Sequence, residues 1–387
     1  MINRLRHIIS RLWAALLSTV ALFPLGACAS GEDAPVVPGG DEPGVAVEYT
    51  MGLYISLGDK TVSRATPTDG EYDPGAGYEN YIDLTGETPD MRLYLFDTAD
   101  RYIGSLIDPE IVPVSESPGS KTYQLTFNVD KTFAEKYSGG SFKLVMLANW
   151  GRVYPSAPVA GVTTIDDLVK SAEAVKVYTP SPAVLTATDL IPMFGVVQFN
   201  NVILDPKVLV MLPETLHLLR AYAKVEVYDA DNSKDFISSV SLTRHSSRAY
   251  MAPHGVTHQD DYVKHKYDDD YVSTLTIPAS SVNADPVTVR RAPSGSFIIY
   301  VPEFRNIGVS AGERARLYVT YKDGNSFYVD FKYYNDPPAG FTKGDPFDIR
   351  RNYWYKFAVN RQDFELIMSV DVMPYGEVIL EPSFGID

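Results

Sequence analysis

The chain has 387 residues, 45% of them apolar and 12% aromatic, with 34 basic against 49 acidic side chains and a formal charge of -15. That composition excludes a disordered chain, and the acidic balance excludes nucleic acid as a partner. A single cysteine excludes a disulfide framework, so in an oxidising compartment the fold must rest on apolar cores and sheet hydrogen bonds.

From the N-terminus, Arg4, Arg6 and Arg11 lead into an apolar run over 12–23, the layout of an export signal. Such a run of about 12 residues is shorter than the roughly 20 needed to span a bilayer. Leu25-Gly26-Ala27-Cys28 then resembles the bacterial lipobox, whose cysteine is lipidated and becomes the new N-terminus. Residues 1–27 are thus expected to be a lipoprotein signal peptide, and Cys28 the attachment point to the outer membrane. Removing 1–27 takes away three arginines and no acids, so the charge goes from -15 to -18. Ala29 is not the aspartate of inner-membrane retention, and Gly31-Glu32-Asp33 resembles the acidic export signal of surface lipoproteins in the Bacteroidetes. Residues 28–44, rich in Pro, Gly and acids, read as a flexible tether.

Beyond the tether the chain reads as strands. Val45, Val47, Tyr49, Met51, Leu53, Ile55 and Leu57 form an apolar row at period two, a long half-buried strand. Arg64-Ala65 follows in a Gly/Pro/Asp-rich connection, where proteases cut exposed chain. Further strands are expected at 91–96, 123–129, 142–148 and 196–199; the run at 142–148 is apolar enough to be central. A short helix is expected over 164–172, with Thr164 as its N-cap. Residues 204–213 read as the end of a first domain.

The second half opens on an alternating stretch over 216–228, expected as one strand. Others are expected at 237–242, 296–301, 316–321, 326–333 and 354–359, with Asp323-Gly324 as a hairpin turn. At the C-terminus the even positions from Leu366 to Ile386 stay largely apolar, broken near Pro374-Tyr375-Gly376. Residues 364–372 suit a last strand of the second domain. The stretch after the turn, with Val378, Leu380, Phe384 and Ile386, suits pairing with the sheet of another subunit. About 360 mature residues suggest two domains, placed at 45–212 and 213–387. Many short strands separated by turns point to an all-β chain of β-sandwiches.

Ile191-Pro192-Met193-Phe194-Gly195, the stretch from Leu219 through Val227, Arg351-Asn352-Tyr353-Trp354-Tyr355-Lys356 and the ending from Pro374 to Asp387 together resemble the Bacteroidales fimbrillin family of surface pilus subunits. The resemblance implies two tandem transthyretin-like β-sandwich domains, a lipoprotein precursor, and a place in a fimbrium at the cell surface. It also implies assembly in which an Arg-specific protease, here cutting at Arg64-Ala65, removes the first strand and a strand of a neighbouring pilus subunit fills the groove. Val47, Tyr49, Met51, Leu53, Ile55 and Leu57 would be lost, and the segment 366–386, ending in Val378, Leu380, Phe384 and Ile386, would replace them. The partners are then other pilus subunits, the outer membrane through lipid on Cys28, the protease, and a host or bacterial surface ligand that the sequence does not identify.

Enzymatic constellations are thin. There is no Gly-x-Ser-x-Gly elbow, His-Glu-x-x-His, P-loop or dinucleotide glycine fingerprint, and lipidation would occupy the only thiol. No catalytic residue, cofactor or metal is expected. The one dense polar patch is His245, His254, His258 and His265 with Asp260, Asp261, Asp268, Asp269 and Asp270; Pro253 and Gly255 place it in a loop, where converging metal geometry is uncommon. Two further readings stand beside the pilus subunit. One is a glycan-binding outer-membrane lipoprotein with Trp150, Trp354 or loop tyrosines as stacking platforms; the other is a pilus anchor or tip that does not polymerise. A surface hydrolase is the weakest class.

Overall fold

The computed structural model describes residues 49–58, 77–85, 89–117, 120–155, 158–230, 235–253, 282–335, 337, 340–362 and 365–374. They are all-β, as the period-two patterning predicts. The signal peptide, the tether, Cys28, Val47, Arg64, Ala65 and the stretch carrying Val378, Leu380, Phe384 and Ile386 lie outside the described residues. Among the described residues no helix is long and apolar enough to cross a membrane.

The first half runs β1 (Tyr49–Gly58), β2 (Met91–Phe96), β3 (Tyr102–Ser105), β4 (Ile107–Ser117), β5 (Ser120–Val129), α1 (Lys131–Tyr137), β6 (Gly140–Ala148), α2 (Ile165–Val169), β7 (Val175–Val177), β8 (Met193–Val202), β9 (Val210–Met211), β10 (Leu216–His217) and β11 (Leu219–Arg220). One sheet has the order β10-β1-β5-β4, with β9 also on β1; a second has the order β11-β8-β6-β2-β3. Met51, Leu53, Ile55, Leu125 and Phe127 of the first meet Leu93, Leu95, Leu144, Met146 and Phe199 of the second in one core. The opposite face of the second sheet is covered too. Tyr94, Val145, Leu147, Phe194 and Val196 pack there with Trp150, with Ile165, Leu168 and Val169 of α2, and with Met251. Burial on both faces explains the unbroken apolar run in β6. α2 is shorter than the expected helix, ending at Val169, but Thr164 does cap it: its hydroxyl accepts from the Asp167 N–H while the Asp167 carboxylate accepts from the Thr164 N–H.

The second half adds β12 (Ala223–Asp229), β13 (Ile237–Thr243), β14 (His245–Ser246), β15 (Arg248–Tyr250), β16 (Val282–Asn283), β17 (Val287–Arg291), β18 (Phe297–Val301), β19 (Arg316–Tyr321), β20 (Ser326–Asp330), β21 (Tyr353–Gln362) and β22 (Glu365–Pro374). Eight of these form one sheet in the order β20-β19-β13-β17-β18-β12-β21-β22. β17 turns it over: Val287, Thr288 and Val289 pair with β13, whereas Arg290 and Arg291 pair with β18. The two arms thereby enclose a second core, Val240, Leu317 and Val319 facing Val225, Ile299 and Phe357. The Asp323-Gly324 turn closes the β19–β20 hairpin as expected, with Gly324 at φ 88°.

Two expectations are corrected. The alternating stretch 216–228 is three strands, because the chain steps from sheet to sheet: Leu216-His217 pairs with β1, Leu219-Arg220 with β8, and β12 with β18 and β21. Alternation survives each step, so the sequence reads as one strand. The step needs Gly195, where a Cβ would stand 2.7 Å from the His217 carbonyl and 2.5 Å from Leu218 Cδ2. Second, the segment 366–386 is not all available as an exchange strand. Residues 365–374 are β22, paired with β21 over ten positions from Tyr353↔Pro374 to Gln362↔Glu365.

Gly195→Ala is expected to cost roughly 1–3 kcal/mol by overpacking this crossing. A loss of that size in the urea midpoint with an unchanged slope is the measurement that checks it.

Candidate functional site

β1 is a strand because its odd residues are apolar, and the structure buries that row: Met51, Leu53 and Ile55 are wholly buried and Tyr49 partly so. The backbone of Leu57 belongs to β1 as well. On the other face the Thr50 hydroxyl donates to Asn128 Oδ1 at 2.8 Å. The three wholly buried side chains contribute roughly 5–9 kcal/mol of gross burial at about 1.5–3 kcal/mol each.

The strand is interior. Along one edge β5 pairs with it antiparallel at ten positions, from Tyr49↔Val129 to Gly58↔Ser120. Along the other, two short strands pair in parallel: Met51↔Val210 and Gly52↔Met211, then Ile55↔Leu216 and Ser56↔His217. The Gly52 carbonyl accepts from the Leu212 N–H at 2.7 Å. Gly52 is the residue that admits this neighbour, since a Cβ there would stand 2.7 Å from Met211 Sδ. A lone glycine inside an alternating strand is a sequence signal of close approach, and it went unused in predicting this contact.

Eighteen residues, 59–76, separate β1 from the next described element, and Arg64 and Ala65 fall among them. Downstream of them the chain is fastened at once. Glu79 is 2% exposed; its Oε1 lies 3.0 Å from Lys224 Nζ and accepts the Tyr300 hydroxyl hydrogen. Arg220 donates from Nε to the Glu79 carbonyl at 3.1 Å and from Nη1 to Asn352 Oδ1 at 2.9 Å. Lys224 Nζ sits 4.9 Å from the Trp354 ring centre. Ile82 then enters the first core, and Asn149 ties the same segment through Nδ2 to the carbonyls of Tyr81 at 2.6 Å and Ile191 at 2.9 Å.

Three of the four motifs behind the sequence resemblance meet here; the fourth, from Pro374 to Asp387, lies outside the described residues but for Pro374. Ile191 accepts from Asn149, and the Pro192 carbonyl from the Ala221 N–H at 2.8 Å. Arg351 pairs with Glu303 at 2.9 Å and donates to the carbonyls of Tyr250 and Met251. Asn352 and Trp354 complete the surroundings of Arg220 and Lys224. Glu79 was missed from sequence because nothing local marks it; its partner Tyr300 is 221 residues away.

Of the His/Asp patch only His245 lies among the described residues. It is buried with its ring edge-on to Tyr178 at 5.6 Å, and burial lowers its pKa from the ordinary value. Among the described residues no group of three or more His, Cys, Asp or Glu is placed to hold a metal. Trp150 and Trp354 are interior, 1% and 5% exposed, and offer no face for stacking a saccharide.

Glu79→Ala leaves Lys224 without its buried carboxylate and is expected to cost about 3–5 kcal/mol. Glu79→Gln, which keeps an acceptor for Tyr300, should cost less; chemical denaturation compares the two. A His245 held neutral by burial binds fewer protons folded than unfolded, so its contribution to stability is present above the ordinary imidazole pKa and is lost as pH falls below it. Melting temperatures measured from neutral to mildly acid pH should therefore fall more steeply for the native chain than for His245→Phe.

No family model matches the chain, and no curated protein matches it. Among solved structures, the tip fimbrial protein Mfa3 from Porphyromonas gingivalis, with a C-terminal truncation, matches at TM-score 0.51 and 13% identity, over 84% of this chain and 100% of that one. A fimbrial assembly protein from Parabacteroides distasonis matches at TM-score 0.43 and 12% identity, over 85% and 100%. At such identities the likeness is one of fold: the chain has the all-β fold of the tip fimbrial protein, in keeping with its sequence resemblance to Bacteroidales fimbrillins.

Proposed function

We propose that the chain is a structural subunit of a surface pilus that serves adhesion, exported as a lipoprotein on Cys28 and assembled by strand exchange. The observation that carries this reading is β1 itself. It is an interior strand that completes the first core, yet the chain that joins it to the rest contains Arg64-Ala65. Cleavage there by an Arg-specific protease would leave β1 attached by hydrogen bonds and burial alone. The Glu79 contacts would hold the downstream chain in place. A vacated groove would expose one edge of β5 and the space of Met51, Leu53 and Ile55. Because β22 is committed to its own sheet, the donor segment is narrowed to 375–387, with Val378, Leu380, Phe384 and Ile386 on one face.

The fold likeness to a tip fimbrial protein favours a second reading, a tip or anchor that does not polymerise. Treatment of the precursor with an Arg-specific protease separates the two. A pilus subunit is expected to be cut after Arg64 and then to form oligomers on gel filtration, both abolished by Arg64→Ala. A cut chain that stays monomeric, or an N-terminus on the cell that remains lipidated Cys28 rather than Ala65, would establish the tip or anchor role.

A further inference from the structure

We infer that residues 204–218 are a strap that gates β1, with Met211 as its latch over Gly52; this rests on the strand-exchange reading above. The two edges of β1 are held unequally. β5 pairs with it at ten positions, but the strap pairs at only four, in two separate parallel pieces. Between those pieces lies Pro213, and ahead of them Pro206; neither can donate to a ladder. In the strap's outer part Val208, Leu209 and Met211 are 57%, 47% and 39% exposed, and Leu212, 4% exposed, with Val210 beside it holds that part to the first core. Its inner end is fixed, because Leu216 and Leu218 lie in the first core and cross Gly195 at closest approach. Leu204, 8% exposed, fixes its other end in the same core, so opening is a bowing of residues around 205–213 between two fixed ends. What opening changes is the status of β1. With the strap down, β1 has neighbours on both edges and an incoming strand has no ladder to start on. With the strap lifted, β1 becomes an edge strand, open to displacement residue by residue along β5. The thioether over Gly52, the Leu212 N–H to the Gly52 carbonyl and the packing of Leu212 and Val210 on the first core are the contacts that opening must break.

Two variants of the full chain test this. Met211→Ala removes the latch and is expected to speed hydrogen exchange of the β1 amides about tenfold in uncut protein while leaving β21 unchanged. Gly52→Cys with Met211→Cys, in a chain carrying Cys28→Ser, places two thiols on neighbouring parallel strands about 4.8 Å apart, within disulfide range. After cleavage at Arg64 the oxidised pair is expected to keep the β1 peptide bound and block oligomers, and reduction to release both. Unchanged β1 exchange in Met211→Ala, or oligomers from the oxidised chain with its disulfide intact, would overturn the gate. Native chain that is cut but never loses β1 would overturn strand exchange instead, and the exchange rates of the uncut chain then decide the gate by themselves. The same rates decide it if the cysteine pair does not fold.

Discussion

The buried contact of Glu79 with Lys224 and Tyr300 is the constraint on which the arrangement turns. An ammonium and a carboxylate, each 2% exposed, are stable in an apolar interior only with partners in fixed geometry. Tyr300 of β18, Arg220 of β11 and Trp354 of β21 supply that geometry from three strands. The segment that follows the Arg64 connection is thereby bound by charge to the face of β12 and β18 opposite the second core and, through Ile82, to the first core by burial. One short stretch of chain thus touches sheets of both halves.

That fastening gives β1 its distinct character. β1 is joined to Glu79 through the 18-residue connection 59–76. Its ladder with β5 and its three buried side chains make it integral to the core, and a cut in the connection would leave those interactions unchanged. Release would then be a matter of rate, set by how β1 can be unpaired. The unequal holding of its two edges makes the strap side the easier one to open.

Several of the residues that carried the family resemblance are, in the structure, residues of this junction. Arg220, Lys224, Arg351, Asn352 and Trp354 are interior and pair with one another or with backbone carbonyls. None forms an exposed recognition surface. Short motifs far apart in sequence thus report how this chain fastens its sheets together, which is information about fold rather than about ligand.

The sequence by itself determined the strands, because burial of one sheet face imposes period two on local residue order. β1, β2, β13 and β19 were legible for that reason, β6 by an apolar run buried on both faces, and the β19–β20 hairpin by Asp323-Gly324. The expectation of processing at Cys28 and Arg64 falls on positions outside the described residues. Only the tertiary structure decided which strands are neighbours. It broke the even-looking stretch 216–228 into three sheets, committed 365–374 to β22, and placed Glu79 against Tyr300. It also gave Gly52 and Gly195 their purpose, since a missing Cβ has meaning only against the atom that would meet it. Alternation is a property of neighbouring residues, whereas pairing, crossing and charge burial depend on residues brought together from distant parts of the chain.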